Sequence, residues 1–436
     1  MILTVKPSPD LNGRIFLPAS KSYSIRAFII AACGGRSTIV HPSDCDDARV
    51  ALSVARQLGA GIVPTKKDIW KITARRPKSP LQKIHVGESG TVLRFLLPLL
   101  PFYGQRATVV GKGTLQGRPN RHLTEALRAQ GVDMRGQGPQ ESVPIDFSGG
   151  TLRGGNLKID GTVSSQFISA LLIATPRLKK DTTLRIQGKQ LVSLDYIKMT
   201  LNLLQQSGIV IRRKTARLYK IPGRQIFHGL KAFVVPSDYG LAAFPLAAAA
   251  LIRSKIILDG HFEKNLLQAD QRILDFLKKM GVVYDQTGRR LKINGPFALR
   301  GGAFSLKDCP DLVPIMAVLA LFASGPTRLY DIGHARVKES DRIQDLKNEL
   351  VKTGAKVIAQ RNALIIYPFA RLPSGAGRSF VLLDPHRDHR LAMAFCILGL
   401  KIGVRVKDIE CVSKSYPGFI KDLQQLGAQV YKKSIN

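Results

Sequence analysis

Several things are scarce in this 436-residue chain, and each scarcity excludes something. There are five cysteines, Cys33, Cys45, Cys309, Cys396 and Cys411, an odd and scattered set without a CxxC pair. That argues against a disulfide frame or a zinc site, and for reduced thiols in a cytoplasmic protein. No apolar run approaches a bilayer span, and the longest, Leu241 to Ile252 and Leu312 to Ala323, read as buried helices. The opening MILTVKPSPD lacks the basic start and long apolar core of a signal peptide. A soluble chain with no membrane partner is therefore expected. A Walker loop and a Gly-rich dinucleotide fingerprint are both missing, so neither nucleotide cofactor is expected.

Acidic residues are scarce as well: 31 Asp and Glu stand against 66 Lys and Arg, a formal net charge of +35. Such a surplus suits an anionic substrate or an acidic partner. Nucleic-acid binders concentrate their charge in a tract or stripe. Here it is spread along the chain, with only short clusters such as Arg212-Arg213-Lys214. Aromatics, at 7%, are too few to interleave with the basic residues as single-strand binders require. No nucleic-acid partner is expected, and a generally basic proteome would account for the charge equally well.

What is present is a repeat. With 44% hydrophobic and 22% charged residues the composition is globular, and the length calls for two domains. Six segments carry an amphipathic helix that stops at glycine and runs into a strand: ALSVARQLGAGIV, LTEALRAQGVDM, KMTLNLLQQSGIVI, ILDFLKKMGVVY, IQDLKNELVKTGAKV and FIKDLQQLGAQV. Their glycines, Gly59, Gly131, Gly208, Gly281, Gly354 and Gly427, recur 72 to 77 residues apart. Six at nearly constant spacing make a structural repeat. Each period holds a second helix that is apolar all round: SKSYSIRAFIIAA, ESGTVLRFLLPLL, SSQFISALLIA, SDYGLAAFPLAAAA, PDLVPIMAVLALFA and DHRLAMAFCILGL. These are predicted to be buried and the first set to lie on the surface. Three units make a domain, with the joint expected between Arg212 and Val235.

Helix N-termini offer unpaired N–H groups and a partial positive charge. Buried helices aimed at a common face would favour anions. Where Ser or Asp opens such a helix, the simpler alternative is an N-cap. That alternative is preferred for Ser237-Asp238.

LPASKSYSIRA, GESGTVLR, GRPNRHL, GTVSSQF, PDLVP, HARVKESDR, DHRLAMA and SKSYPGF follow one another in an order that resembles the EPSP synthase family, from about Lys21 to Phe419. RVKESDR and DHRxAM are the most specific. The resemblance implies a two-domain inverted α/β barrel (α/β, or α+β) of the enolpyruvyl transferase type, with six βαβαββ repeats, three per domain. A shikimate-phosphate-binding domain is expected at 18–235, the second domain at 1–17 with 236–436, and the active site in the cleft between them. The implied reaction moves the carboxyvinyl group of phosphoenolpyruvate to the 5-hydroxyl of 3-phosphoshikimate by addition and then elimination of phosphate. No metal or organic cofactor is implied, and a monomer is expected.

Carried over by motif, Lys21, Ser22 and Arg26 meet the substrates, Lys21 as a point charge between both anions and Arg26 as a fork for the shikimate carboxylate. Ser164, Ser165 and Gln166 resemble the 3-phosphoshikimate cradle, with Ser193 and Tyr196 completing it. Phosphoenolpyruvate is implied to meet Lys21, Gly90, Arg118, Gln166, Arg342, Arg390 and Lys414. Asp311 is the implied base for the hydroxyl, with an N-cap as the competing reading. Glu339 is the implied proton donor to the vinyl carbon, with Lys338 as the alternative; Lys338 and His334 also contact 3-phosphoshikimate. His389 is read as orienting Arg390. Three departures from the family pattern stand out: Glu88 replaces a common asparagine, Phe95 a frequent proline, and Ser237-Asp238-Tyr239-Gly240 lacks a serine pair. An acid at position 88 leaves the electrostatics of the phosphoenolpyruvate site open.

Two rivals remain. A sister enzyme transfers the same group to UDP-N-acetylglucosamine, but a lysine-asparagine pair would then replace Lys21-Ser22, and a cysteine would lie in a loop near Arg118. An RNA-binding or RNA-end-modifying protein is prompted by the net charge alone.

Overall fold

The computed structural model describes residues 1–66, 68–77, 79–104, 106–263, 265–372 and 380–433. The chain divides into two compact units. The first comprises Met1–Pro18, Ser237–Lys264 and Gln268–Asn436, and the second Ala19–Pro236 with Asn265–Leu267. The joint thus falls at Pro236–Ser237, just past the expected interval.

Six surface helices form where periodicity and glycine place them: Asp46–Gln57, Arg121–Ala129, Leu194–Gln206, Arg272–Lys279, Gln344–Val351 and Phe419–Gln425. Within three residues of each end stands the repeat glycine, with φ between +84° and +98°. That left-handed turn lets the next N–H groups reach back to the last free carbonyls, as Ala60 N–H does to Ala55 and Ala428 N–H to Leu423. The six apolar helices are Lys21–Cys33, Gly90–Leu96, Ser165–Ala174, Tyr239–Leu251, Val313–Ala320 and His389–Ile402, and nearly all their residues are buried. Within the first unit its three apolar helices pack on one another. The thirteen residues of Tyr239–Leu251 are all buried.

Around these helices lie six four-stranded sheets with one shared topology. In each, the outer strand pairs parallel with the second, and the remaining two follow antiparallel. In one sheet Phe233–Val234 pairs parallel with Arg36–Val40, which leads to Ile69–Thr73 and Gly61–Lys66. The N-terminal segment explains why the first unit is discontinuous. Ile2–Val5 lies between Val404–Val406 and Val430–Lys433, and Asp10–Phe16 pairs in parallel with Arg253–Asp259. Among the described residues no helix is long and apolar enough to cross a membrane.

Five apolar helices are opened by a side chain that accepts a backbone N–H: Ser20, Ser89, Ser164, Asp238 and Asp388. Asp238 caps as read from the sequence, through Leu241 N–H. Asp311 differs. It sits in a short 3-10 turn, Pro310–Leu312, whose start carries no side-chain cap.

Candidate active site

In the first unit, the starts of the three apolar helices are tied together by arginine. Arg390, second residue of the last apolar helix, donates to the Gly240 carbonyl at 2.6 Å and meets Asp311 Oδ2 at 3.2 Å. Arg342, with no exposed surface, donates to three carboxylates. Its Nη1 reaches Asp311 Oδ1 at 2.7 Å, its Nε Asp388 Oδ2 at 2.8 Å, and its Nη2 Glu339 Oε2 at 3.1 Å. Lys414 Nζ lies 3.9 Å from Glu339 Oε1, and Ser340 Oγ donates to Asp388. A planar fork with five donors suits this sharing, which a lysine could not reproduce. Asp311, Glu339, Arg342, Arg390 and Lys414 are therefore one connected cluster.

The electrostatics follow from that geometry. Burial alone would raise the Asp311 carboxyl, but Arg342, Arg390 and Lys338 hold it well below the usual carboxylate range. Burial, then the nearby Lys338 charge, pushes His334 down to about 3, so its imidazole is neutral at physiological pH. His334 Nε2 is buried without a hydrogen-bond partner, a nitrogen available to a ligand. Arg342 stays charged because Asp388, Asp311 and Glu339 more than offset its burial. Lys338 ends the 3-10 turn Gly333–Val337 that also carries His334.

The second unit holds its cations differently. Gly90 is the first residue of its helix, and a Cβ added there would stand 2.8 Å from Arg118 Nη1. The guanidinium thus lies against bare backbone. Arg94, buried one turn further on, donates to the Gln166 side-chain carbonyl, to Asn120 Oδ1 and to the Pro119 carbonyl. Gln166 in turn donates to Thr91 Oγ1 at 2.9 Å, which joins two helix starts. Ser164 caps its helix through Gln166 N–H, and Ser165 opens the first turn. Lys21 Nζ stands 3.3 Å from Asp47. Ser193 holds a left-handed backbone, φ 55°, just ahead of Tyr196. Such conformations in non-glycine residues gather at ligand sites.

Arg26 is fully buried. Its donors go to Thr200 Oγ1, the Ser22 carbonyl and the Tyr196 carbonyl, and its guanidinium lies 5.3 Å from the Phe95 ring and 5.8 Å from that of Tyr196. Burial lowers it to about 10, still charged at neutral pH. The fork read as a carboxylate grip is thus engaged within its own unit. Glu88 turns its carboxylate onto Thr114, accepting from both its N–H and its hydroxyl. His389 is buried with Nδ1 4.0 Å from Asp388.

Sequence reasoning did not single out Asp388, Arg94, Thr91 or Asp47. Asp388 and Arg94 lie inside the quoted DHRLAMA and GESGTVLR segments, but their partners are distant in the chain. Asp47 carries no signal beyond its place in the first turn of a surface helix.

A family model described as EPSP synthase (3-phosphoshikimate 1-carboxyvinyltransferase) matches residues 5–423. A 3-phosphoshikimate 1-carboxyvinyltransferase of Archaeoglobus fulgidus is 34% identical, over 97% of this chain and 98% of that one. One from Methanothrix thermoacetophila is 35% identical, over 99% of each. Among solved structures, an EPSP synthase from Acinetobacter baumannii matches with a TM-score of 0.78 at 23% identity, covering 99% of this chain and 100% of that one. The enolpyruvyl transferase NikO from Streptomyces tendae matches at 0.77 and 18%, covering 100% and 99%. These two likenesses bear on the fold, which is that of the enolpyruvyl transferases.

Proposed function

Because the chain belongs to the EPSP synthase family, we propose that it transfers the carboxyvinyl group of phosphoenolpyruvate to the 5-hydroxyl of 3-phosphoshikimate and releases phosphate. The observation that carries the mechanism is the sharing of Arg342 between Asp311 and Glu339. One guanidinium thereby holds two carboxyl groups in one cluster, as a paired acid and base require. Asp311 accepts the hydroxyl proton while the oxygen adds to C2 of phosphoenolpyruvate. Glu339 delivers a proton to C3, giving a tetrahedral intermediate. A proton then returns from C3 to Glu339 and phosphate departs from C2, taking the proton held on Asp311, which restores the vinyl group and both carboxyl groups. With its carboxyl held so low, Asp311 is a weak base. That fits a proton accepted as the C–O bond forms, rather than a free alkoxide made beforehand.

Both units supply ligands in this reading. Lys21, Gly90, Arg118, Gln166, Arg342, Arg390 and Lys414 take phosphoenolpyruvate. Lys21, Ser22, Ser164, Ser165, Gln166, Ser193, Tyr196, His334 and Lys338 take 3-phosphoshikimate, the unpartnered His334 nitrogen being a ready contact. Arg26 supports that site through Tyr196 and the Ser22 carbonyl. Lys338 serves in place of Glu339 if the vinyl carbon proves out of its reach. The reading extends to a cytoplasmic monomer acting on free small anions without nucleic acid. Its five cysteines, none of them in a disulfide, and its dispersed basic residues support this, and sedimentation velocity tests the monomer.

Fold likeness alone does not choose the acceptor, since NikO and an EPSP synthase match about equally well. The family match, and Lys21-Ser22 in place of a lysine-asparagine pair, favour 3-phosphoshikimate over UDP-N-acetylglucosamine. Phosphate release from phosphoenolpyruvate, measured with each acceptor in turn, decides it. Release with the nucleotide sugar alone would overturn the proposal.

A further inference from the structure

We propose that Glu88 is a positioning residue whose carboxylate latches the loop 111–118 and so sets where the Arg118 guanidinium lies on Gly90. The proposal rests on the reading of Arg118 as a phosphoenolpyruvate ligand. Its ground is a run of contacts between two segments that leave neighbouring parallel strands, Lys83–His85 and Ala107–Val110. Past the strand ends the main chains stay paired for two more steps. Val86 N–H donates to the Val110 carbonyl at 2.9 Å, and Lys112 N–H to the Gly87 carbonyl at 2.8 Å. One step further the Glu88 side chain takes over, accepting Thr114 N–H at 3.3 Å and the Thr114 hydroxyl at 3.2 Å on Oε2. Beyond that, Arg118 rests on Gly90.

The loop is shaped around this carboxylate. Gly113 has φ +56°, and a Cβ there would collide with the Glu88 carboxyl group. Glycine is needed on both counts, for the backbone and for the space. The far end of the loop is anchored independently, because the Arg118 carbonyl accepts from Asn120 Nδ2 at 3.0 Å and Ser142 Oγ at 3.3 Å. Glu88 therefore governs the near end, 113–117, over which the Arg118 side chain must be aimed. An acid beside an anion site would ordinarily repel the ligand. Here its Oε2 accepts both Thr114 donors, and a charged acceptor makes a stronger hydrogen bond than a neutral one.

The test measures phosphate release in wild type, Glu88→Ala, Glu88→Gln, Thr114→Val and the double variant Glu88→Ala/Thr114→Val, varying each substrate at saturating levels of the other. Glu88→Ala is expected to raise the phosphoenolpyruvate KM on the order of tenfold, the scale of one lost charge-assisted hydrogen bond. The 3-phosphoshikimate KM and kcat should stay within about twofold. Thr114→Val keeps its N–H, so it should give a smaller rise that vanishes in the Glu88→Ala background, the mark of a shared contact. Glu88→Gln retains an acceptor of the same size and should recover most of the loss. An unchanged phosphoenolpyruvate KM in Glu88→Ala, equal rises in both KM values, additive effects in the double variant, or a lower melting temperature with both KM values intact would each overturn the latch. A wild-type protein that releases no phosphate from this substrate pair removes the underlying reading and the latch with it. An active wild type with an indifferent Glu88→Ala removes the latch alone.

Discussion

The two units build the starts of their apolar helices on different electrostatics. In the first, Arg342, Arg390 and Lys414 are set against Asp311, Glu339 and Asp388, so charge is nearly balanced within a buried network. In the second, Arg94 and Arg26 donate to two side-chain amides, a hydroxyl and backbone carbonyls, none of which cancels their charge. The lesson concerns division of labour. Neutral acceptors hold an arginine in place while leaving its field for an anion, which suits recognition. Asp311, held low among cations in the first unit, stays ionised, which suits a proton acceptor.

The largest expected effect tests the first half of that contrast. Asp311→Asn should bind both substrates and turn over about 10²–10⁴ more slowly, since asparagine keeps the size but takes no proton. Near-normal turnover with an unchanged melting temperature would make Glu339 or Lys338 the base. Because the folded Asp311 carboxyl lies below its unfolded value, its stabilisation is present above the unfolded value, near 3.9, and fades as pH falls below it. The melting-temperature gap between wild type and Asp311→Asn should therefore stay level from pH 7 down to about 4 and begin to narrow below it.

Stability gives the sharpest comparison. Arg342→Met would remove the buried cation that Asp311, Asp388 and Glu339 share and should cost about 3–5 kcal/mol in urea unfolding. Arg94→Met leaves the neutral acceptors Gln166, Asn120 and the Pro119 carbonyl unsatisfied and should cost less, about 1–3 kcal/mol. Equal losses would show that the two sets of arginines are held alike, and the contrast would fail.

Two smaller effects probe recognition in the second unit. Ser165→Ala should weaken 3-phosphoshikimate by about 1.5–3 kcal/mol in calorimetry and leave phosphoenolpyruvate nearly unaffected. Parallel losses for both ligands would show that Ser165 does not belong to the phosphate cradle. Gly90→Ala should act the other way round. Its new methyl group must push the Arg118 guanidinium aside, an overpacking cost of about 1–3 kcal/mol. The expected readout is a raised phosphoenolpyruvate KM with the other KM steady.

Much of this protein was legible before any coordinates. Helical periodicity and the six glycines placed twelve helices, because a left-handed turn after an amphipathic stretch is a local requirement that the chain writes out residue by residue. All-round apolarity separated the buried helices from the surface ones for the same reason. The site motifs identified the family, and with it the fold. Pairing was another matter. That Arg342 would serve three carboxylates, with Asp388 lying 46 residues away, is decided by how separate repeats pack. Arg26 reads as an open fork in SKSYSIRA, yet the close packing of Thr200, Tyr196 and Phe95 encloses it. Glu88 reads as a misplaced acid in GESGTVLR, and the approach of Thr114 from a neighbouring strand end supplies its carboxylate with two donors. Local sequence determines which helices form and which face they bury. Which ions meet depends on contacts between segments far apart in the chain, and those distances exist only once the repeats have folded against one another.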